Sequence, residues 1–399
     1  MTKTALDGLL VLDLSQFVAG AFCGKLFAAF GAEVIKIEPP EGDGARQEGP
    51  FPGNRPDPEA SALFLYLNTG KQGATLNLKA PEGADILRQL ARQADVLIEN
   101  FAPGAMARLG LAPHALRALN PRLVTVSISN FGETGPYRDY KADSMVEQAL
   151  GGYLYVNGDP EREPLAMGGH QPEYQGGLHG YSGALVALLA REGSGRGQHV
   201  EISLHECMAS IHQFTVNRYV HTGRVQRRIG NRYQRAHPIT IYPCQDGLVS
   251  IAISMQDQYE RFLRLIGRAD LLADARFATT FVCSENDAAF DEAIRPWLLD
   301  HTRDEIVYSC QEHRVPAAFV NDVRQVMDDP QLRARGFWRE LSHPVAGTWP
   351  VAGLPFHMSG TPPELRRACL LGEHNREVYA GRLAFDAARL ADLKARGIL

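Results

Sequence analysis

Glu173 is the residue of this 399-residue chain best placed for covalent chemistry. It stands in Met167-Gly168-Gly169-His170-Gln171-Pro172-Glu173-Tyr174-Gln175-Gly176-Gly177, ahead of an apolar stretch of small residues over 178–191. The pattern predicts a helix that begins near Glu173. A carboxylate in that position meets the positive end of the helix, which attracts negative charge. A carboxylate can also attack an acyl carbon and hold the acyl group covalently. The same residue could instead be a helix cap, worth about 1 kcal/mol. His170, three residues earlier, reads either as a base or as an ordinary surface histidine.

Other residues with chemical potential carry less. Gly193-Ser194-Gly195-Arg196-Gly197 resembles a phosphate loop only superficially. Dinucleotide loops follow a strand and open a helix, whereas this segment follows a helix and precedes a strand, as a helix stop does. The 13 histidines show no metal-ligand spacing, and the six cysteines form no C-x-x-C pair. No metal site is therefore expected, and the thiols read as reduced, in a reducing compartment. No G-x-S-x-G elbow occurs, which argues against a serine hydrolase. The basic run Arg224, Arg227, Arg228, Arg232 and Arg235 could hold phosphates or a carboxylate. It reads equally well as a solvated linker.

The elements that must position Glu173 are legible as a pattern. Apolar runs at 9–14, 33–37, 74–78, 95–99, 123–128 and 198–203 read as buried strands. Helical stretches at 19–30, 81–94 and 112–119 separate them. Near-continuous Val/Ile/Leu strands alternating with helices imply an α/β fold, a doubly wound and mostly parallel sheet. Ligands in such sheets bind beyond the carboxyl ends of the strands, so the loops after Leu14, Glu38, Glu99 and Ser129 are the expected site. From about residue 225 the texture changes to a hairpin around Asp246-Gly247 and helices near 256–266, 286–299 and 302–313. The expected organisation is a large domain over 1–224, completed by 331–399, and a small domain over 225–330. A formal net charge of -5 gives no general attraction to nucleic acid or anionic membrane. No run of eighteen apolar residues suggests a membrane span. The opening Met1-Thr2-Lys3-Thr4-Ala5-Leu6-Asp7 lacks the apolar core of a leader. A soluble cytoplasmic enzyme is expected.

Several segments taken in order resemble the class III CoA-transferase family, which includes formyl-CoA and carnitine CoA-transferases and the α-methylacyl-CoA racemases. They are Leu6-Asp7-Gly8-Leu9-Leu10-Val11-Leu12-Asp13-Leu14, Gly31-Ala32-Glu33-Val34-Ile35-Lys36-Ile37-Glu38, Asn68-Thr69-Gly70-Lys71, Ala94 to Gly104, Phe131-Gly132-Glu133-Thr134-Gly135-Pro136-Tyr137, Gly195-Arg196-Gly197-Gln198 and Gly372-Glu373-His374. The resemblance implies a large doubly wound domain with a smaller α/β domain, in two chains that interlock. It implies coenzyme A contacts at Phe17, Val18, Ala19, Lys71, Asn100, Phe101, Arg108 and Lys141. Arg46 would replace an arginine that the family carries where Pro39-Pro40 stands here.

The implied reaction moves CoA from an acyl-CoA donor to a small carboxylic acid through a covalent intermediate. Acyl-CoA serves as substrate, and no tightly bound cofactor is implied. Counting back from Gly195-Arg196-Gly197-Gln198 places Glu173 at the nucleophile position, where the family has aspartate. Backbone N–H groups at Gly168-Gly169 or Gly176-Gly177, with His170 beside them, would then assist the acyl transfer. Two other readings remain open here: a CoA-binding subunit without the reaction, partnered by a related chain, and an acyl-CoA isomerase or racemase. The latter needs a His–Asp pair near 142–143, where this chain has Ala142-Asp143.

Overall fold

The computed structural model describes residues 4–399, without the side chain of Gln213. Met1–Lys3, part of the opening expected to lack a leader, lie outside the described residues. The chain forms two compact units.

The first unit comprises residues 4–152, 167–213 and 333–399. Its centre is a six-stranded sheet: β1 (Leu10–Asp13), β2 (Glu33–Glu38), β3 (Gln72–Thr75), β4 (Val96–Glu99), β5 (Val124–Ser129) and β6 (His199–Ser203). Their order is β3-β2-β1-β4-β5-β6, and every pairing is parallel. In register, Leu12 lies beside Ile35 on one side and Leu97 on the other.

Side chains alternate across each strand, and here both faces are apolar. Leu10, Leu12, Ile35, Ile37 and Leu97 pack with Ile86, Leu87 and Leu90 of helix 81–91, and with Val378, Tyr379 and Leu393 near the C-terminus. On the opposite face, Val11, Val34, Val96, Ile98, Val126 and Ile128 pack with Ala19, Cys23 and Phe27 of helix 19–29. Ala184, Ala187 and Leu188 of helix 171–194 complete that core. The sheet is thus covered on both sides, as its apolar strands require. The C-terminal segment is tied in by hydrogen bonds as well. The Tyr379 hydroxyl donates to the Thr75 carbonyl at 2.7 Å, and the Asn375 amide donates to the Thr75 hydroxyl at 2.8 Å.

The second unit comprises residues 153–166 and 214–332. An antiparallel sheet, β7 (Ile239–Cys244), β8 (Gly247–Ala252) and β9 (Ala317–Phe319), packs on helices 256–265, 287–299 and 303–312. Residues 153–166 and 214–224, expected in the large domain, lie in this unit. Backbone bonds explain part of the difference. Gly230 N–H donates to the Gly158 carbonyl at 3.0 Å, and the Arg228 guanidinium donates to the carbonyls of Asp159 and Arg162. In the same unit, Arg232 pairs with Asp287 and Asp291, so it is an internal anchor. All six cysteines are buried free thiols. Among the described residues, no helix is long and apolar enough to cross a membrane.

Candidate active site

The strand order reverses direction between β1 and β4, so the loops that leave them diverge and open a crevice. Reciprocal hydrogen bonds hold its two lips together. Gln16 N–H donates to Asn100 Oδ1 at 2.8 Å, and Asn100 Nδ2 donates to the Gln16 carbonyl at 2.7 Å. Phe17 follows with a φ of 54° and its ring half-exposed. A non-glycine residue in that region marks local strain held by its surroundings, which is common at functional sites.

Glu173 reaches this crevice from the first turn of helix 171–194. Pro172 suits a first turn because its missing N–H would be unpaired there anyway. The glycines that follow let the helix lie close to its neighbours. A Cβ at Gly177 would stand 2.5 Å from the Ala19 carbonyl oxygen, and one at Gly176 would stand 2.2 Å from a Leu204 methyl. The far end stops at Gly195, left-handed at φ 69°, as the Gly193–Gly197 pattern predicts.

The Glu173 side chain is 18% exposed, and its Oε2 is buried without a hydrogen-bond partner. His170 Nδ1 lies 3.8 Å from Oε1, an ion-pair distance too long for a hydrogen bond. Asp143 caps helix 144–150, accepting from the N–H groups of Met145 and Val146 at 3.1 and 3.2 Å. That role accounts for its carboxylate without an acid–base partner.

A cavity of about 640 Å³ gathers most of the expected site. Phe17, Val18, Ala19, Asn100, Phe101, Arg108, Lys141, His170 and Glu173 all line it, with Asn130, Arg138, Asp143 and Glu147. Four expected residues do not. Gly168 and Gly169 lead into the helix outside the lining, and the Gly169 carbonyl accepts from the Ser144 hydroxyl at 3.3 Å.

Lys71 and Arg46 are buried and already neutralised. Lys71 Nζ donates to Asp13 Oδ2 at 2.6 Å, to Asn68 Oδ1 at 2.8 Å and to the Ala21 carbonyl at 2.8 Å. Burial works to raise the Asp13 carboxyl, but Lys71 and Lys36 outweigh it and hold Asp13 below the usual carboxylate range. Arg46 grips both oxygens of Glu38, at 2.7 and 2.8 Å, and reaches Glu59 at 2.7 Å. Neither cation has hydrogen-bonding capacity left for a phosphate. Both brace the loops beneath the crevice.

Two features escaped the sequence reading. A second cavity of about 480 Å³ lies beyond β1, β2 and β3, lined by Leu14, Ile37, Pro39, Leu76, Leu78 and Leu109 with Lys79 and Arg108. It shares Phe101, Ala102 and Arg108 with the first, so the two form one elongated trough. The expected strand at 74–78 hid Lys79, because β3 ends at Thr75 and the residues after it turn into the trough. The other is Glu147, a carboxyl only 1% exposed in the wall of the first cavity. Nothing in its local sequence sets it apart from other polar residues. Among the described residues, no group of three or more His, Cys, Asp or Glu side chains could hold a metal ion.

Residues 6–375 match the model of a family described as CoA-transferase family III. The chain is 34% identical, over 99% of its length and 98% of the relative's, to succinyl-CoA–D-citramalate CoA-transferase of Chloroflexus aurantiacus. It is 32% identical, over 95% of its length and 96% of the relative's, to succinate–glutarate CoA-transferase of Agrobacterium fabrum. Among solved structures, a CAIB/BAIF family protein from Brucella suis superposes with a TM-score of 0.86 at 32% identity, covering 95% of this chain and all of that one.

Proposed function

Because this chain belongs to CoA-transferase family III, and so is a CoA-transferase, we propose that Glu173 is the nucleophile through which it transfers CoA to a small carboxylic acid. The observation that carries the reading is a carboxylate on a helix's first turn, with one oxygen unpartnered, in the wall of a cavity that continues through Phe101, Ala102 and Arg108 into a second one. The apolar cavity suits the adenine, and the exposed side chains of Lys79 and Arg108 suit the phosphates. The acyl-bearing arm then runs past Phe101 towards Glu173.

In this reading a Glu173 oxygen attacks the donor's thioester carbon and CoA leaves as thiolate, giving a mixed anhydride. The thiolate attacks the Glu173 carbonyl carbon and the donor acid leaves. The acceptor carboxylate attacks the resulting glutamyl thioester, the thiolate leaves again, and its return to the acceptor's acyl carbon frees Glu173. Each step exchanges one carboxylate or thiolate for another, so no proton is consumed. Glutamate offers the same carboxylate as aspartate with one more methylene, and the glycines behind it set its reach. Assembly as an interlocked homodimer belongs to the same reading. So does a cytoplasmic location, which the six free thiols support.

The test is to incubate the protein with an acyl-CoA, reduce with borohydride and map the product by mass spectrometry. A reduced adduct on the peptide containing Glu173, absent together with turnover in Glu173→Gln, is the expected result. Wild-type turnover in Glu173→Gln would overturn the assignment of Glu173, whereas no adduct and no turnover in the wild-type protein would leave an accessory subunit or an isomerase to be tested by co-purification and solvent exchange.

A further inference from the structure

The wall of the first cavity contains a second carboxyl that the reaction above does not use. Glu147 lies on helix 144–150, and neither Oε1 nor Oε2 has a hydrogen-bond partner. Glu173 Oε2, in the same cavity, is likewise buried and unpartnered. A buried carboxylate kept for structural reasons is normally met by N–H groups or a cation. Among the described residues no lysine or arginine pairs with Glu147, although Arg108, Arg138 and Lys141 line the same space.

The backbone around Glu147 is fixed relative to Glu173 by its neighbours. Met167 N–H donates to Gln148 Oε1 at 2.7 Å, Gln148 Nε2 donates back to the Met167 carbonyl at 3.3 Å, and Ser144 holds the Gly169 carbonyl. Helix 144–150 is therefore laced to the segment that leads into the first turn of helix 171–194.

The groups around Glu147 set its protonation. Glu173 and His170 face the cavity from helix 171–194, Asp139 and Asp143 from its rim, and Cys207 on helix 204–210 senses the charge of Glu147. Burial first, then the charges of Glu173 and Asp143, push Glu147 up to about 8. Two carboxyls that share one cavity do not both ionise freely, and the more enclosed one keeps the proton.

We propose that Glu147 works as a neutral acid that donates a hydrogen bond to the Glu173 carbonyl oxygen whenever that carbon is attacked. The proposal rests on the reading of Glu173 as nucleophile. When the CoA thiolate attacks the glutamyl carbon, a C–S bond forms and the carbonyl electron pair moves onto the oxygen. The Glu147 O–H stabilises that charge while its proton stays in place. Collapse of the adduct returns the pair, and the bound carboxylate leaves with the electrons of the broken C–O bond. Because the oxygen is more negative during attack than before it, the hydrogen bond favours the transition state over the ground state.

The test uses the full chain and steady-state CoA transfer between pH 6 and 9. Wild-type kcat/KM for acyl-CoA, which reports groups of the free enzyme, should fall as pH rises through about 8, where Glu147 loses its proton. Glu147→Gln keeps a donor but cannot titrate, so it should stay active and lose that alkaline limb. Glu147→Leu should lose about 10²–10³ in kcat, as removal of an oxyanion donor does, with little change in KM for acyl-CoA. Borohydride labelling run in parallel separates the two readings. If wild type labels at Glu173 while Glu147→Gln retains the alkaline limb, the role of Glu147 falls and that of Glu173 stands. If wild type does not label at Glu173, both fall. Should Glu147→Leu fail to fold, the pH profile of Glu147→Gln decides alone.

Discussion

The position of Glu173 depends on how closely its helix lies against helix 19–29, and Gly177→Ala tests that dependence. Gly177 is buried one helical turn beyond Glu173. A Cβ there would stand 2.5 Å from the Ala19 carbonyl oxygen, and 3.1 and 3.2 Å from Cβ and Cδ1 of Phe22. Carbon and oxygen rarely approach closer than about 3.3 Å, so the contact is short by about 0.8 Å. The obstructing atom is backbone and cannot rotate away, so one helix must shift. Ala19 itself lines the cavity, so the shift separates the nucleophile from the wall that faces it. A displacement on the order of 1 Å costs about a hundredfold in rate, which puts the expected loss in kcat at about 30- to 100-fold.

Overpacking should also destabilise the fold by about 1–3 kcal/mol, offset by about 0.5–1 kcal/mol for replacing a helical glycine with alanine. Gly193→Ala, on the same helix, where a Cβ would meet nothing within 4 Å beyond its own helix backbone and chain neighbours, is the control. It should leave kcat unchanged and stabilise by about 0.5–1 kcal/mol. The assay is steady-state CoA transfer together with thermal unfolding. A folded Gly177→Ala protein with kcat within about threefold of wild type would refute the argument that close helix packing sets the reach of Glu173.

Further expectations follow from where the charges lie. Lys79→Ala and Arg108→Ala should each raise KM for acyl-CoA about tenfold, the lower end for a charge-assisted hydrogen bond, and the effect should shrink as salt is added. An unchanged KM in both would remove the phosphates from that end of the trough. Asp13→Asn leaves the buried Lys71 without its counter-charge, so urea unfolding should show a loss of about 3–5 kcal/mol. The folded fraction should keep a wild-type KM for acyl-CoA, whereas a large rise in KM with unchanged stability would return Lys71 to the binding site.

The sheet was legible because its strands are short apolar runs buried on both faces, and Val124–Ser129 needs no partner in view to read as a strand. The third strand lies earlier in the chain than its apolar residues suggest. Gln72 and Gly73 carry no apolar signal, yet they pair with Ile35 and Lys36 of β2. Leu76 and Leu78 carry the signal but lie past the strand, where they line the trough. Glu173 was legible because local sequence sets its helix start. Glu147 was not, because its significance lies in what fails to meet it in space.

The cations show which part of site prediction is positional and which is electrostatic. Lys71 precedes β3 and Lys79 follows it, and ligands in a parallel sheet gather beyond the carboxyl ends of the strands. Strand direction alone therefore favours Lys79 over Lys71, once the end of β3 is placed at Thr75. Arg46 satisfies the positional rule, since it follows β2, and still lies outside the trough. Glu38 ends that strand and Glu59 lies across from it, and together they occupy the guanidinium. Position brings a charge to the crevice, but only a charge without a buried partner is available to a ligand there. In the first cavity the same logic runs with the sign reversed. The carboxyls of Glu147 and Glu173 keep unpartnered oxygens among three cations, and a group left unsatisfied in a folded interior is free to bond to something that arrives later.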